Sequence, residues 1–255
     1  MDEKNLNVRG TFLTRVSRRT IYLFVLTALV ATAAAGLLLT PETGVVSASQ
    51  PAAQKAGGEV ATAEMLAYAL NFRAASGYTV FAGNGIADDG KSSINGTSGD
   101  ALRGGAVAKD KQSVSEAIDR LMGLPCSEVA DTNLGGKSFA PGVYCLSSAD
   151  LRGNVVLDAA NDHAGVFIFR IAGSLNATKG GVSLVNGALG GNVFFVAGDS
   201  AVVGGEFDAN VLARNNVNFE AGSTLNGKVF SLGKVSLNES RVAGGTTGTL
   251  QICKA

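Results

Sequence analysis

From about residue 164, short apolar runs recur along the chain every 17 to 18 residues. N-V-F-F-V-A (192–197), A-N-V-L-A-R (209–214) and G-K-V-F-S-L (227–232) form one series. A second follows each of them: S-A-V-V-G-G (200–205), N-N-V-N-F-E-A-G (215–222) and K-V-S-L-N-E-S (234–240). A third closes the unit: G-E-F-D-A (205–209), S-T-L-N-G (223–227) and R-V-A-G-G (241–245). The segments V-F-I-F-R-I-A, S-L-N-A-T and V-S-L-V-N-G within 166–187 repeat that order as an earlier, longer unit. Three short strands per repeat, separated by Gly or Asn corners, predict a mainly β protein: a three-faced β-helix. One coil cannot bury its apolar face alone, so stacking supplies the core.

The three faces differ. On the first, V-F-I-F, V-F-F-V and V-F-S-L are apolar without alternation, which predicts burial on both sides. The expected cover is a helix over 112–124, where Val114, Ile118, Leu121 and Met122 fall on one stripe. Gly123 and Pro125 end it. That stripe is expected to pack on Phe167, Phe169, Phe194, Phe195 or their neighbours. The other two faces alternate. Leu175, Val217, Phe219, Val235 and Leu237 read as inward, and Ser174, Asn176, Ser200, Asn216, Asn218, Ser236 and Asn238 as outward.

Composition narrows the class. With 46% apolar residues, 16% charged residues and 34 Gly, the chain is neither disordered nor collagen-like. Basic and acidic residues balance at 21 each, and residues 1–48 hold five of the basic and three of the acidic ones. The remainder is faintly acidic and has no electrostatic drive toward nucleic acid. At the N-terminus a basic run ends in Ser17-Arg18-Arg19, residues 21–39 carry no charge, and Val46-Ser47-Ala48 offers small residues for cleavage. That order predicts a signal peptide within 1–48. An uncleaved membrane anchor is the alternative, since the apolar run is long enough to span a bilayer. Residues 49–63 read as a flexible linker, 64–245 as the domain and 246–255 as a tail.

Export changes the reading of the cysteines. Cys126 and Cys145 lie 19 apart, and in an oxidising compartment they are expected to pair and close a loop. By chain entropy that closure is worth about 3 kcal/mol. Cys253 is the odd one out. No C-x-x-C is present, and neither a metal nor a cofactor is expected. The single histidine, His163, sits in a turn with no nucleophile motif beside it. Asp158 and Asp162 lack a calcium-loop pattern and read as turn formers. Glu206, Asp208 and Glu220 are spread over two faces rather than paired, which argues against glycosidase or lyase chemistry. Asn95, Asn176 and Asn238 head glycosylation sequons, triplets that an Asn-rich chain also produces by chance.

Several motifs in order resemble the microbial ice-binding-like family: Y-T-V-F-A-G (78–83), the helix leading into G-L-P-C, and L-G-G-K-S-F-A-P-G-V-Y-C (134–145). L-R-G-N-V-V-L-D-A (151–159), G-V-F-I-F-R-I-A-G-S-L (165–175), V-N-G-A (185–188) and N-V-F-F-V-A-G-D-S-A (192–201) extend the resemblance over about 64–245. It implies a right-handed, discontinuous triangular β-helix, with a long helix along one face and N-terminal strands completing the coils. Residues 84–105 fall where many relatives carry a capping or variable segment. The motifs G-L-P-C and P-G-V-Y-C support the Cys126–Cys145 pair. The function implied is non-enzymatic adsorption to ice by a secreted monomer.

The expected ice-binding residues are the outward positions of the second series: Ser174, Asn176, Thr178, Ser200, Val202, Asn216, Asn218, Ser236 and Asn238. Coils stack at about 4.7–4.9 Å, close to a lattice repeat of ice. The chain departs from the better ice binders in having only Thr178 and Thr224 as threonines between 143 and 245. Glu220 and Lys234 also project from the same face. The alternative is a non-catalytic surface module binding a polysaccharide, another cell or a protein.

Overall fold

A computed structural model describes residues 63–100 and 107–244. The signal or anchor within 1–48, the linker up to residue 62, the 246–255 tail and Cys253 lie outside the described residues. Parallel strands line three faces. The first is one sheet in the order β4 (Ser98–Asp100), β1 (Val80–Ala82), β19 (Val229–Ser231), β16 (Asn210–Ala213), β13 (Val193–Ala197), β10 (Phe167–Ile171), β7 (Gly142–Leu146), β5 (Ser127–Glu128). The second runs β2 (Ile86–Asp88), β20 (Val235–Leu237), β17 (Val217–Phe219), β14 (Ala201–Val203), β11 (Leu175–Ala177), β8 (Ala149–Asp150). The third is split. One part is β12 (Val182–Val185), β9 (Val155–Asp158), β6 (Ser138–Phe139); the other is β15 (Glu206–Phe207), β18 (Thr224–Asn226), β21 (Arg241–Ala243), β3 (Ser93–Asn95).

The stacking is discontinuous in sequence. The first coil, β1 to β3, lies against the last one, pairing Phe81 with Phe230, Ala87 with Ser236 and Ile94 with Val242. Residues 84–95 are therefore a structural coil rather than a variable cap. After β4 the chain stands at one end of the first face and must restart at β5, the other end. Helix α2 (Val107–Met122) makes that return, and its 16 residues carry the chain about 24 Å. It begins five residues before the expected 112 because Asp110 is buried and accepts a 2.8 Å hydrogen bond from the Tyr78 hydroxyl, fixing the first turn to the coil.

Val114, Ile118 and Leu121 are fully buried against the first face, and Met122 is partly buried beside them. The strand residues that meet them are Phe81, Val143, Ile168, Phe194, Val196, Leu212 and Phe230. Of the four phenylalanines named from sequence, only Phe194 lies on the helix side. Phe167, Phe169 and Phe195 point into the solenoid, where Phe169 stacks on Phe195 at 4.6 Å and on Tyr144 at 5.4 Å. The reason is strand alternation: both faces of this sheet are apolar, but they bury into different clusters. A second helix that the sequence reading missed, α1 (Ala63–Ala69), joins the cover, and Phe72 just after it stacks on Phe230 at 4.7 Å.

Corners are held by asparagines and by close backbone approach. The Asn210 amide donates to the carbonyls of Gly190, Gly191 and Val193, while its oxygen accepts from the Lys228 N–H. The Asn216 oxygen accepts from the Lys234 N–H at 2.9 Å. At Gly227 a Cβ would sit 2.0 Å from the Ala209 carbonyl oxygen, so no larger residue fits that corner. Cys126 and Cys145 are disulfide-bonded with Cα atoms 5.6 Å apart, tying the exit of α2 to β7.

Candidate functional surface

The first face is covered by α1 and α2, and the third is interrupted. Between β12 and β15 the segment Gly190–Asn192 folds as a 3-10 turn, leaving a cleft of about 230 Å³ lined by Leu184, Leu189, Asp208 and Asn226, among others. The outward side of the third face also carries Glu206 and Arg241 at registered positions, with Thr224 between them. Among the described residues, the second face is both continuous and uncovered.

Strand register on this face defines a single central column. Asp150, Asn176, Val202, Asn218, Ser236 and Ala87 follow one another through direct pairing of β8, β11, β14, β17, β20 and β2. Five steps at about 4.8 Å make a column of about 24 Å. Their neighbours along each strand alternate inward: Leu175, Ala177, Ala201, Val203, Val217, Phe219, Val235 and Leu237 are all in the core. That apolar backing fixes the outward register, because a slip of one residue would expose it. Asn176 and Asn218 are exposed, whereas Val202 and Ser236 are half-buried.

Two flanking rows widen the surface. Ser174, Ser200, Asn216 and Lys234 lie two residues before the column, while Thr178, Glu220 and Asn238 lie two after it. All nine residues expected from sequence are thus on the same face. The side chains of Asn176, Asn218 and Ser236 make no hydrogen bond to other described residues, so their polar groups are available to water. The flanks are more occupied. The Asn216 oxygen serves the Lys234 backbone, and the Ser174 hydroxyl donates to Asp199 at 2.9 Å. The Glu220 carboxylate leans over Gly204, where it fills the space a Cβ would take.

Sequence reasoning missed three members. Asp150 heads the column and is paired with Arg152 at 2.6 Å; Ala87 ends it, contributed by the first coil. Asp199 sits at the corner before the flanking row. The inward-outward-inward triplet A-D-L (149–151) carried a signal for Asp150, but Ala87 follows only from the discontinuous stacking. Elsewhere His163 is exposed in its turn. Asp158 and Asp162 accept from the N–H groups of Ala160 and Ala164, two residues on, as turn formers do. Among the described residues no group of three or more His, Cys, Asp or Glu side chains is placed to hold a metal.

The sequence model of a family described as ice-binding-like matches residues 34–243. An ice-binding protein of Nostoc sp. (strain HG1) is 30% identical over 125 residues, 47% of this chain and 46% of that protein. An ice-binding protein of Colwellia sp. is 27% identical over 213 residues, covering 69% of this chain and 83% of its own length. With the Nostoc protein, the match therefore spans about half of the relative. Among solved structures, an ice-binding protein from the Antarctic ascomycete Antarctomyces psychrotrophicus superposes with a TM-score of 0.62 at 28% identity, covering 68% of this chain and 97% of that one. A glycosylated ice-binding protein from an Arctic yeast, at 22% identity and a TM-score of 0.61 over 72% of this chain and 97% of that chain, shares the fold.

Proposed function

This chain belongs to the ice-binding-like family, and we propose that it binds ice through the second face of its solenoid. One observation carries the choice of surface: among the described residues, only that face is at once continuous and uncovered, with uncharged residues at five of its six central positions. Ser174, Asn176, Thr178, Ser200, Val202, Asn216, Asn218, Ser236 and Asn238 form the contact. The exposed amides of Asn176 and Asn218, two coils apart, hold a first layer of water, and Val202 between them supplies a hydrocarbon surface that does not compete for it. Water-mediated contact of this kind is nearly as favourable as direct hydrogen bonding. A rigid, apolar-backed sheet fixes the layer before ice arrives, so little ordering is left for the adsorption step.

The same reading makes the protein non-catalytic, monomeric in action and exported, with residues 1–48 as signal peptide or anchor. Glu220 and Lys234 favour the competing reading, a surface module for a polysaccharide or partner, because charged groups hold liquid water tightly. Thermal hysteresis, the gap between melting and freezing points of a seed crystal, separates the two. Ice binding gives a concentration-dependent gap and faceted crystals, and inhibits recrystallisation; a surface module leaves crystals round and the gap at zero.

A further inference from the structure

At the corner between the first and second faces, one carboxylate reaches three successive coils. Asp199 Oδ2 accepts from the Ser174 hydroxyl at 2.9 Å, one coil away. Its Oδ1 accepts from the Asn215 amide at 2.6 Å, in the coil on the other side, and from the Ser200 hydroxyl at 3.4 Å. The backbone repeats the link, since the Asn215 N–H donates to the Asp199 carbonyl and the Asp199 N–H to that of Gly173. We propose that Asp199 is a positioning residue of the ice-binding surface, setting the hydrogen-bond polarity of Ser174 and Ser200 in its flanking row. The inference rests on the function proposed above and assigns a role to a residue outside the contact itself.

A serine hydroxyl can turn its hydrogen to several directions, so a free row of serines presents donors and acceptors without order. With a carboxylate as fixed neighbour, the Ser174 and Ser200 hydrogens turn sideways along the corner, and their lone pairs are left facing out. Asn215 likewise commits an amide hydrogen to the carboxylate and keeps its carbonyl oxygen. Ser174 and Ser200, on adjacent coils, then offer acceptors, and the water above these two positions is oriented to donate inward, up to Asn216 and Lys234, whose amide and ammonium groups donate. Asp199 keeps its charge, with its two oxygens engaged by three protein donors at the corner. The hydrogen bonds from Asn215, foremost, and from Ser174 hold its carboxyl below the usual carboxylate range, so it stays an acceptor at neutral pH. Arg214, the nearest cation in sequence, is turned away to Asp119 on α2 at 2.5 Å.

A purely structural staple would act on melting temperature alone. The test therefore measures thermal hysteresis and melting temperature together for the parent, Asp199→Ala, Asp199→Asn, Ser174→Ala/Asn215→Ala, and the triple variant that adds Asp199→Ala. Freeing these rotors returns an ordering cost to the adsorption step, so Asp199→Ala is expected to lower hysteresis about twofold or more. Asp199→Asn keeps one acceptor oxygen and should recover part of the loss. In the Ser174→Ala/Asn215→Ala background, adding Asp199→Ala frees only the Ser200 hydroxyl and should cost much less hysteresis than in the parent. An active parent whose hysteresis is unmoved by Asp199→Ala, or moved only in step with melting temperature, overturns the positioning role and leaves ice binding intact. So does a full further loss in the triple variant. An inactive parent overturns both, and the fault then lies in the functional reading.

Discussion

Asn218→Tyr is the substitution that separates surface from scaffold. Asn218 is exposed in the middle of the central column, paired on one side with Val202 and on the other with Ser236. The inward neighbours Val217 and Phe219 stay in place, and tyrosine suits a strand at least as well as asparagine. Stability should therefore move by no more than about 0.5 kcal/mol, the usual range for a surface change. Ice contact is another matter. A ring standing above its neighbours holds the ice front off the adjacent coils, and a radial gap of about 1 Å already forfeits a quarter to a half of a van der Waals contact. With coils about 4.8 Å apart, the ring shadows its own strand and one on each side, half of the six-stranded array. Losing as little as about 1.4 kcal/mol of adsorption energy weakens affinity tenfold. Hysteresis measured on a seed crystal should thus fall by about an order of magnitude at unchanged melting temperature, with Asn218→Ser much milder. Full activity in Asn218→Tyr would refute the assignment and move the site to the third face or to the end loops.

Other outcomes follow from the same geometry. Leu121→Ala empties a fully buried position between α2 and the first face, a loss of about 3 kcal/mol, or about 6–12 °C by calorimetry, and a shift under about 2 °C would contradict the packing described. Replacing both Glu220 and Lys234 by threonine should raise hysteresis by removing the two charges flanking the column, and a decrease would show that they take part in contact. Reducing the Cys126–Cys145 bond should lower unfolding free energy in denaturant titrations by about 3 kcal/mol, and an unchanged midpoint would argue against it. The Tyr78 hydroxyl, donating to Asp110 and partly buried, has its pKa raised above the ordinary tyrosine value. Its contribution is complete below about pH 10 and lost as pH rises through the folded value, so Tyr78→Phe should blunt the alkaline fall in melting temperature. An identical alkaline profile in that variant would exclude the contribution.

Much of this architecture is written in short-range pattern. The triplets L-N-A, V-N-F and V-S-L each alternate inward and outward, and that alternation alone places Asn176, Asn218 and Ser236 on one surface. The unbroken apolarity of V-F-F-V announces a covered face, and the stripe Val114–Ile118–Leu121 names its cover. Periodicity could not say which side of V-F-F-V meets the helix, since both sides are apolar; only the strand register places Phe194 outside and Phe195 inside. Nor could it bring Ala87 next to Ser236. That pairing joins residues about 150 positions apart and arises because α2 returns the chain to the far end of the solenoid. Helix α1 was missed for a simpler reason: seven residues are too few for a periodic signal, and burial against the first face sustains it. Asp199 was overlooked because its role lies in spanning coils, which no linear motif records.

Adsorption of the second face to ice is decided by the partition of two matched variants, Asn218→Tyr and Thr224→Tyr, into slowly growing ice. Both place the same ring at an outward strand position, the first on the continuous face and the second on the interrupted one between Glu206 and Arg241. Thr224→Tyr is expected to enter the ice as the parent does, while Asn218→Tyr remains in the liquid. Exclusion of Thr224→Tyr with incorporation of Asn218→Tyr would contradict it.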